Sequence, residues 1–356
     1  MAKSKILILT SFSEFTNHTR LNYEKKILEN AGYYVDCFYG NKSDRLFIIN
    51  IAEKIFLKFI NLNVLFFLRR NRKKYDIYFL YGVFTLNTLL FFSPKFRKKC
   101  IYQTLNHDIS YHTYELEIRI KSIKYFSHIL ISTGISIEKY LARSCGRIIV
   151  NSESLKEIFT NSVLIYYSSP LEGVVINHSP SQQLALVYLG QLRREKISLD
   201  FFDFIEKESL MFFVFGKIKD TFIKEHMHSS KYCQYKGDYD INHLKKELMI
   251  LSHQYNLLGV SLIQEPHKSY KFQNANKDID YMALGIPILG NYRKTTRELI
   301  EQGNGFFYDK FDVKKLAYDE YKLKSENCQF SYRNYSNANF EDAFLRVFKS
   351  QSGANA

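Results

Sequence analysis

Residues that break or cross-link regular structure are scarce in this chain. Its 356 residues include 5 prolines and 15 glycines, which argues against long linkers and fibrous repeats. The 5 cysteines are odd in number, are scattered along the chain, and show neither a disulfide pattern nor metal-ligand spacing. A reducing compartment suits them best, so we expect a cytoplasmic protein.

Long uninterrupted apolar segments are also absent. The run Ile6–Leu9 is too short for the core of a signal peptide, and we expect none. Charged residues interrupt the most apolar stretch, Leu46–Leu68, and exclude a membrane-spanning helix there. Polar residues recur within this stretch at spacings of three and four, which predicts an amphipathic helix.

Positive charge is in excess and is unevenly distributed. The chain has 50 Lys and Arg against 36 Asp and Glu, a formal net charge of +14. Residues 1–170 hold 25 basic against 13 acidic side chains, a net charge of +12, and the remainder carries +2. A basic half of this kind favours a polyanionic partner such as nucleic acid, an anionic membrane surface or a phosphorylated lipid.

A basic cluster follows the apolar stretch directly. It consists of Arg69, Arg70, Arg72, Lys73 and Lys74. Two interpretations stay open here: the helix lies in an anionic membrane surface, or it packs on the core and the cluster is a solvated loop. The charge excess favours the first, which predicts a peripheral protein on the inner face of the cytoplasmic membrane.

Short apolar runs alternate with segments of helical spacing along most of the chain. The runs interpreted as strands are Lys5–Thr10, Tyr34–Phe38, Ile77–Tyr81, Ile101–Thr104, Arg147–Val150, Leu184–Leu189, Met211–Phe215, Gln234–Tyr235, Leu258–Ile263 and Ile286–Leu289. This alternation predicts an α/β fold with parallel sheets and helices on both faces. The length predicts two domains, which we place at residues 1–178 and 179–334. A C-terminal helix and tail, residues 335–356, can pack back on the first domain.

The most specific run is ANKDIDYMALGIPIL, residues Ala275–Leu289. A helix beginning near Asn276 and Lys277 would attract an anion, because free N–H groups and the helix dipole point outward at that end. Lys277 suits a diphosphate, and the two oxygens of Asp280 suit two neighbouring ribose hydroxyls. An ordinary amphipathic helix before a strand is the alternative interpretation.

This run resembles the donor-binding segment of retaining GT-B glycosyltransferases of family 4. The matching residues are Asn276, Lys277, Tyr281, Met282, Ala283, Gly285 and Pro287. Asp280 replaces the family's glutamate, and Phe272 stands at the position of its earlier glutamate. The resemblance implies two Rossmann-like domains in the GT-B arrangement, with Asp280 on the ribose and Tyr281 among the donor-binding residues.

Further segments resemble the same family in the same order. The donor-binding residues that they imply are Gly190, Arg193, Lys196, Gly216 and Gly237. Gly190 allows the backbone to approach a phosphate closely. Gln191 stands at the family's arginine position, where Arg193 or Arg194 can substitute. A single glycine after a strand is more commonly a turn, so the ordered series is the signal.

In the first domain, a strand ends just before His107 and Asp108. This resembles the family's strand that ends in a His-Asp or His-Glu pair, and implies that both residues face the sugar or the acceptor. A single histidine is more often structural. The acceptor-side residues implied by neighbouring loops are Ser13, Arg20, Tyr114 and Glu115.

The resemblance implies transfer of a hexosyl or N-acetylhexosaminyl group with retention, from a UDP- or GDP-sugar to a lipid-linked or polysaccharide acceptor in bacterial cell-surface glycan synthesis. The sequence shows no Asp-x-Asp run of the kind that bridges a metal ion to a diphosphate in the other major glycosyltransferase fold, so we expect no metal and no cofactor. Lysine and arginine side chains and a helix N-terminus would stabilise the leaving diphosphate. No protein nucleophile is assigned.

Other function classes are less well supported. A dinucleotide-dependent oxidoreductase needs a Gly-x-Gly-x-x-Gly turn after the first strand, and residues 11–13 contain no glycine. Nucleic-acid or polyanion binding suits the basic half but leaves the second domain unexplained, so we expect no nucleic-acid partner. An inactive GT-B scaffold, an epimerase and a phosphorylase stay open.

Overall fold

The computed structural model describes residues 4–10, 19–40, 45–51, 55–104, 124–263, 275–291 and 293–353. The chain forms two compact units. The first consists of Met1–Tyr166 and Glu341–Ala356, and the second of Tyr167–Phe340. The domain limits at residues 178 and 334 that the sequence suggests remain predictions.

The first unit contains a six-stranded sheet in which every strand pair is parallel. Its strands are β1 (Lys5–Thr10), β2 (Tyr34–Tyr39), β5 (Ile77–Tyr81), β6 (Cys100–Thr104), β7 (Arg147–Val150) and β8 (Val163–Leu164), in the order β2-β1-β5-β6-β7-β8. Strands β1, β5 and β6 are almost entirely buried, as expected for continuous apolar runs covered on both faces.

Six helices accompany this sheet within the described part of residues 1–166. They are α1 (Thr19–Asn30), α2 (Leu62–Asn71), α3 (Val83–Leu86), α4 (Pro94–Arg97), α5 (Lys124–Ser144) and α6 (Glu153–Ile158), with a 3-10 turn at Asn87–Phe91. Helix α2 buries Val64, Leu65 and Leu68 on one side. Its opposite side carries Phe66 and the first two residues of the basic cluster, all exposed.

The prediction of one amphipathic helix over Leu46–Leu68 is wrong. The segment forms two antiparallel strands, β3 (Arg45–Ile51) and β4 (Ile55–Asn61), followed by the start of α2. Isoleucine and phenylalanine dominate both strands, and these residues favour a pleated surface over a helix. The Asn61 side chain accepts a hydrogen bond from the Val64 amide at 3.1 Å, so the helix begins at residue 62.

The second unit contains another all-parallel sheet of six strands. The strands are β9 (Gln183–Leu189), β10 (Met211–Phe215), β11 (Cys233–Gly237), β12 (Tyr255–Ser261), β13 (Ile288–Gly290) and β14 (Gly305–Phe307), in the order β11-β10-β9-β12-β13-β14. Its helices are α7 (Leu199–Glu208), α8 (Thr221–Ser229), α9 (Ile241–Ser252), α10 (Asn276–Leu284), α11 (Lys294–Leu299) and α12 (Tyr318–Tyr332).

Alternate residues of β9 enter two separate cores, one on each face of this sheet. Val187 and Leu189 pack with side chains of α9 and α10, whereas Leu186 and Tyr188 pack with side chains of α7 and α8. Helices therefore cover both faces, and the predicted α/β architecture of two parallel sheets is confirmed.

The last helix, α13 (Asn337–Gly353), begins in the second unit and continues into the first. In the first unit, the rings of Phe344 and Phe348 lie edge-on to Phe79 of β5, with centroids 5.9 and 5.3 Å away. Tyr23 of α1 donates a hydrogen bond to Glu341 at 2.7 Å. No helix among the described residues is long and apolar enough to cross a membrane.

Candidate functional site

The strand order of the second sheet reverses beside β9. Strands β10 and β11 follow on one side of β9, and β12, β13 and β14 follow on the other. Ligands of open parallel sheets bind beyond the carboxyl ends of the strands at such a reversal point, because the loops there diverge and leave a crevice. The loops after β9, β12 and β13 are therefore the first place to look for a site.

Glycines end the three strands on one side of the reversal point. Gly190, Gly216 and Gly237 all have positive φ angles. The Gly190 amide donates to the Phe215 carbonyl, and the Gly216 amide donates to the Gly237 carbonyl, both at 2.8 Å. A Cβ atom on Gly216 would lie 2.4 Å from the Gly190 carbonyl oxygen, whereas one on Gly190 would meet open space. The backbone at Gly190 is thus accessible to a ligand.

Cationic side chains follow β9 and the next two strands on its other side, β12 and β13. Lys196 comes after β9, Lys277 is the second residue of the helix after β12, and Arg293 follows β13. Burial, then Arg293 and Arg193, lower the pKa of Lys196 to about 8. Neighbouring cations lower a pKa only when they are close. Three adjacent strands therefore bring three positive charges together, which we call the cation cluster: Lys196, Lys277 and Arg293.

Lys277 has the most unfavourable surroundings in the cation cluster. Its Nζ atom is buried and has no hydrogen-bond partner within the described ranges. Nζ lies 3.9 Å from the ring centroid of Tyr188, a cation–π contact. Burial, then Lys196 and Arg293, hold the pKa of Lys277 well below its usual value, and Asp278 opposes this only in part.

The two arginines suggested as substitutes for Gln191 are engaged elsewhere. Arg193 forms an ion pair with Glu195 at 3.6 Å and contacts the Gln191 side chain at 3.4 Å. The Arg194 guanidinium stacks 4.6 Å from the ring centroid of Phe222 on α8. Arg193 is still close enough to Lys196 to lower its pKa, so it borders the cation cluster.

The N-terminus of α10 carries two of the predicted residues. Asn276 is the first residue of the helix and is exposed. Ala275 precedes it and provides no side-chain cap. Asp278, in the first turn, is buried and accepts a hydrogen bond from the Thr296 hydroxyl. The first turn of α10 is therefore anchored by Asp278 and offers its exposed end to solvent.

Asp280 already has hydrogen-bond donors. Its Oδ1 atom accepts from the Ser169 hydroxyl at 2.6 Å and lies 3.4 Å from the Tyr167 hydroxyl. Burial raises the pKa of Asp280 to about 7. The second oxygen, Oδ2, makes no hydrogen bond to any residue that the structure describes. A ribose hydroxyl would therefore bind through Oδ2 or compete with Ser169.

Tyr281 lies in the core beneath the site. It is fully buried, its hydroxyl accepts from the Leu189 amide at 3.1 Å, and it faces the Val187 and Val260 carbonyls at 3.1 and 3.3 Å. The hydroxyl thereby links β9 to β12. Direct contact of Tyr281 with a donor remains a prediction; its visible role is to hold the reversal point together.

The predicted residues of the first unit are described only in part. Ser13, His107, Asp108, Tyr114 and Glu115 lie outside the described residues. Arg20 donates to the buried Glu24 carboxylate at 2.7 Å, and Gln103 donates to the same oxygen at 2.8 Å. Burial raises the pKa of Glu24 against the opposing effect of Arg20. The Glu24 carboxylate thus joins α1 to Gln103 of β6, and Arg20 contacts this carboxylate from the same helix.

No family model and no curated protein matches this chain. Solved structures do match over the whole length. Sucrose-phosphate synthase from Thermosynechococcus elongatus has a TM-score of 0.68 at 12% identity, covering 99% of this chain and 100% of that one. The lipopolysaccharide outer core galactosyltransferase WaaB has 0.61 at 12%, covering 98% and 99%. The complex of S. aureus MnaA with UDP has 0.53 at 12%, covering 98% and 96%.

The chain has the GT-B fold. Each of its two parallel sheets forms the centre of one of the two Rossmann-like domains that this fold requires. In the GT-B framework, the cation cluster lies where the strand order of the second Rossmann-like domain reverses.

Three residues of this site had no signal in the sequence. Arg293 stands in NYRKTTREL, which carries no motif, and Tyr167 and Ser169 precede the expected second domain. All three act on residues distant in the chain: Arg293 on Lys196 and on Lys277 of α10, and Tyr167 and Ser169 on Asp280. Only the strand order brings these segments together.

Proposed function

We propose that this protein transfers a sugar from a nucleotide-sugar donor to a lipid-linked or polysaccharide acceptor. The cation cluster carries the proposal. Three positive charges are held close together at the carboxyl ends of three adjacent strands, and one of them is a buried ammonium without a hydrogen-bond partner in the described residues. A diphosphate carries several negative charges in a compact group. Bound at the cation cluster, it would neutralise the positive charges there.

The proposed leaving group is a nucleoside diphosphate, from a UDP- or GDP-sugar. Lys196, Lys277 and the exposed end of α10 would stabilise the charge that develops as the sugar departs, without a metal ion. The open backbone at Gly190 leaves room for phosphate oxygens. The names of the structural neighbours, a galactosyltransferase and a UDP complex, support this donor class.

Asp280 is proposed to bind the ribose of the donor. Its raised pKa, about 7, means that near neutral pH a share of the carboxyl groups is protonated. Hydrogen bonds from two ribose hydroxyls would favour the carboxylate and so lower that pKa on binding. Retention of the anomeric configuration, transfer of a hexosyl or N-acetylhexosaminyl group, and roles for His107 and Asp108 follow from the family resemblance alone and are part of the proposal.

The acceptor is proposed to be presented at an anionic membrane surface in cell-surface glycan synthesis. The five residues of the basic cluster are all exposed, on the end of α2 and the turn before β5. Lys95 and Lys98 are exposed before the adjacent strand β6. Neighbouring strands therefore begin from two basic turns on the same edge, a surface that suits anionic lipid head groups on the inner face of the membrane.

A thermal-shift series with UDP-, GDP-, ADP- and CMP-sugars tests the donor proposal. At about 100 times the Kd, the ligand that fits should raise Tm by about 5 °C or more. The double variant Lys196→Ala, Lys277→Ala should lose this shift while its own circular dichroism spectrum stays native. Release of nucleoside diphosphate in the presence of acceptor then separates a transferase from an inactive scaffold, and a protein that no nucleotide stabilises would refute the proposal.

A further inference from the structure

We propose that Arg293 binds the diphosphate of the donor directly, as the third member of the cation cluster. This inference rests on the proposed function and adds a residue for which the sequence has no motif. Arg293 follows β13, the second neighbour of β9 in the sheet. It therefore approaches the ligand from the opposite side of β12 to Lys196.

The burial of Arg293 shows that its side chain is not a solvated surface charge. Only 6% of the residue is exposed, so its guanidinium is largely removed from bulk solvent. Its charge lowers the pKa of both Lys196 and Lys277. Placing a third cation beside two lysines costs electrostatic energy, and an anion bound between the three would reverse the sign of that contribution.

The backbone holds Arg293 at this position. Its carbonyl accepts a hydrogen bond from the Arg297 amide at 2.9 Å, which begins α11. On the same helix, Thr296 donates to Asp278, the residue next to Lys277. The loop that carries Arg293 is thereby tied to the first turn of α10, so Arg293 and Lys277 are positioned as one assembly.

The chemistry of the guanidinium distinguishes Arg293 from the two lysines. Lysine is a compact point charge, whereas arginine presents N–H groups in a fixed planar fork that matches two oxygens of a phosphate. In this arrangement the lysines neutralise charge and Arg293 sets the orientation of the diphosphate. Arg193 forms an ion pair with Glu195, and the Arg194 guanidinium stacks on the Phe222 ring.

The test measures the affinity of the full chain for UDP and GDP, with uridine and guanosine as phosphate-free probes. Arg293→Gln should weaken binding of the diphosphate by about 10- to 100-fold and leave the affinity for the nucleoside unchanged. Arg297→Gln is the matched control, since Arg297 lies on the same helix, is exposed and pairs only loosely with Glu301 at 3.9 Å. Its affinity for the diphosphate should equal that of the wild type.

Arg293→Lys covers the case in which Arg293→Gln does not fold. It keeps the charge and loses the fork, so its affinity should fall between those of the wild type and Arg293→Gln. Wild-type affinity for the diphosphate in a folded Arg293 variant would overturn this inference and leave the proposed function intact. A wild-type protein that binds neither UDP nor GDP would overturn both.

Discussion

Lys277 carries a charge that its surroundings do not favour. The contact of its ammonium with the Tyr188 ring contributes roughly 0.5–2 kcal/mol. Burying an ion in a protein interior costs several kcal/mol even after relaxation. Because Lys196 and Arg293 add repulsion, the net contribution of the charged Lys277 side chain to folding is unfavourable. A residue retained at a cost to stability is typical of a binding site.

Lys277→Met should separate stability from binding. Removal of the buried charge is expected to raise the free energy of unfolding by about 1 kcal/mol or more and to abolish the Tm shift caused by UDP or GDP. Differential scanning calorimetry measures both quantities. Lys231→Met is the control, because the exposed Lys231 lies over the Tyr232 ring at 4.9 Å in a similar contact and should alter neither. A destabilised Lys277→Met protein would contradict the argument.

The pKa of Lys196 predicts the pH dependence of donor binding. In the protein without donor this pKa is about 8, and a bound diphosphate would raise it. Lys196 is therefore charged in both states below pH 8, and its own contribution to the affinity should be constant there. Above pH 8 binding must take up a proton, so affinity should fall by up to tenfold per pH unit. Calorimetric titration in two buffers of different ionisation enthalpy measures the proton uptake, and Lys196→Ala should abolish it.

At the scale of secondary-structure elements, the segment between β2 and β5 is the main departure from the predicted pattern. A sequence with polar residues every three or four positions forms strands β3 and β4 and only then a helix. Asn61 decides where the change occurs, because it is the last residue of β4 and also the N-cap of α2. Its side chain is fully buried, so the cap is shielded from competing water.

Asn61→Ala should lower the stability of the first unit. Loss of the cap at Val64 typically costs about 1 kcal/mol, equivalent to a fall in Tm of roughly 2–4 °C. Asn63→Ala, on the exposed side of the same helix, provides the comparison and should change Tm by less than a third of that. Equal effects of the two substitutions would show that the cap is not what holds the start of α2.

The basic end of α2 predicts binding to anionic vesicles. Each Lys or Arg near an anionic bilayer contributes about 1 kcal/mol, so the triple variant Arg72→Gln, Lys73→Gln, Lys74→Gln should bind phosphatidylserine vesicles about 100-fold more weakly. The control triple, Lys310→Gln, Lys314→Gln, Lys315→Gln, removes three exposed charges of the second unit. Vesicle co-sedimentation at two salt concentrations measures the difference. Equal loss in both triples would indicate a general charge effect only.

At the scale of the whole molecule, a reversal of strand order occurs twice, although one strand lies beyond β1 in the first sheet and two strands lie beyond β9 in the second. Each sheet has its reversal point beside its first strand, β1 in the first unit and β9 in the second. In the second unit, the cation cluster lies at the carboxyl ends of the strands beside this reversal point. In the first unit, the described residues near β1 and β6 form a polar core of Arg20, Glu24 and Gln103. The two units therefore offer different chemistry on one framework.

Chelation should leave the proposed transfer reaction unchanged. If the cation cluster neutralises the leaving diphosphate, a divalent ion is not required for that step. Initial rates with and without an excess of EDTA measure this directly. A rate that falls with EDTA and recovers with added Mg²⁺ would mean that a metal ion takes part and that the roles of Lys196 and Lys277 need revision.

Much of the architecture could be predicted from local pattern. The bounds of β1, β5, β7 and β10 agree with the apolar runs, because a strand buried on both faces is a continuous apolar segment. The pattern failed between residues 45 and 61, where isoleucine and phenylalanine suit a strand and the polar spacing suits a helix. Where the residues of a short apolar segment suit both the helical period and the strand period, the neighbours of the segment in space decide which structure it adopts.

The sequence by itself determined the two parallel sheets and two of the three charges of the cation cluster, since both are written in short runs with their own periodicity or motif. Only the tertiary structure decided that Arg293 joins Lys196 and Lys277, and that Ser169 and Tyr167 bind Asp280. The physical reason is that the order β9-β12-β13 brings together loops distant in the chain. The strength of their interaction depends on distance and burial, which no local pattern records.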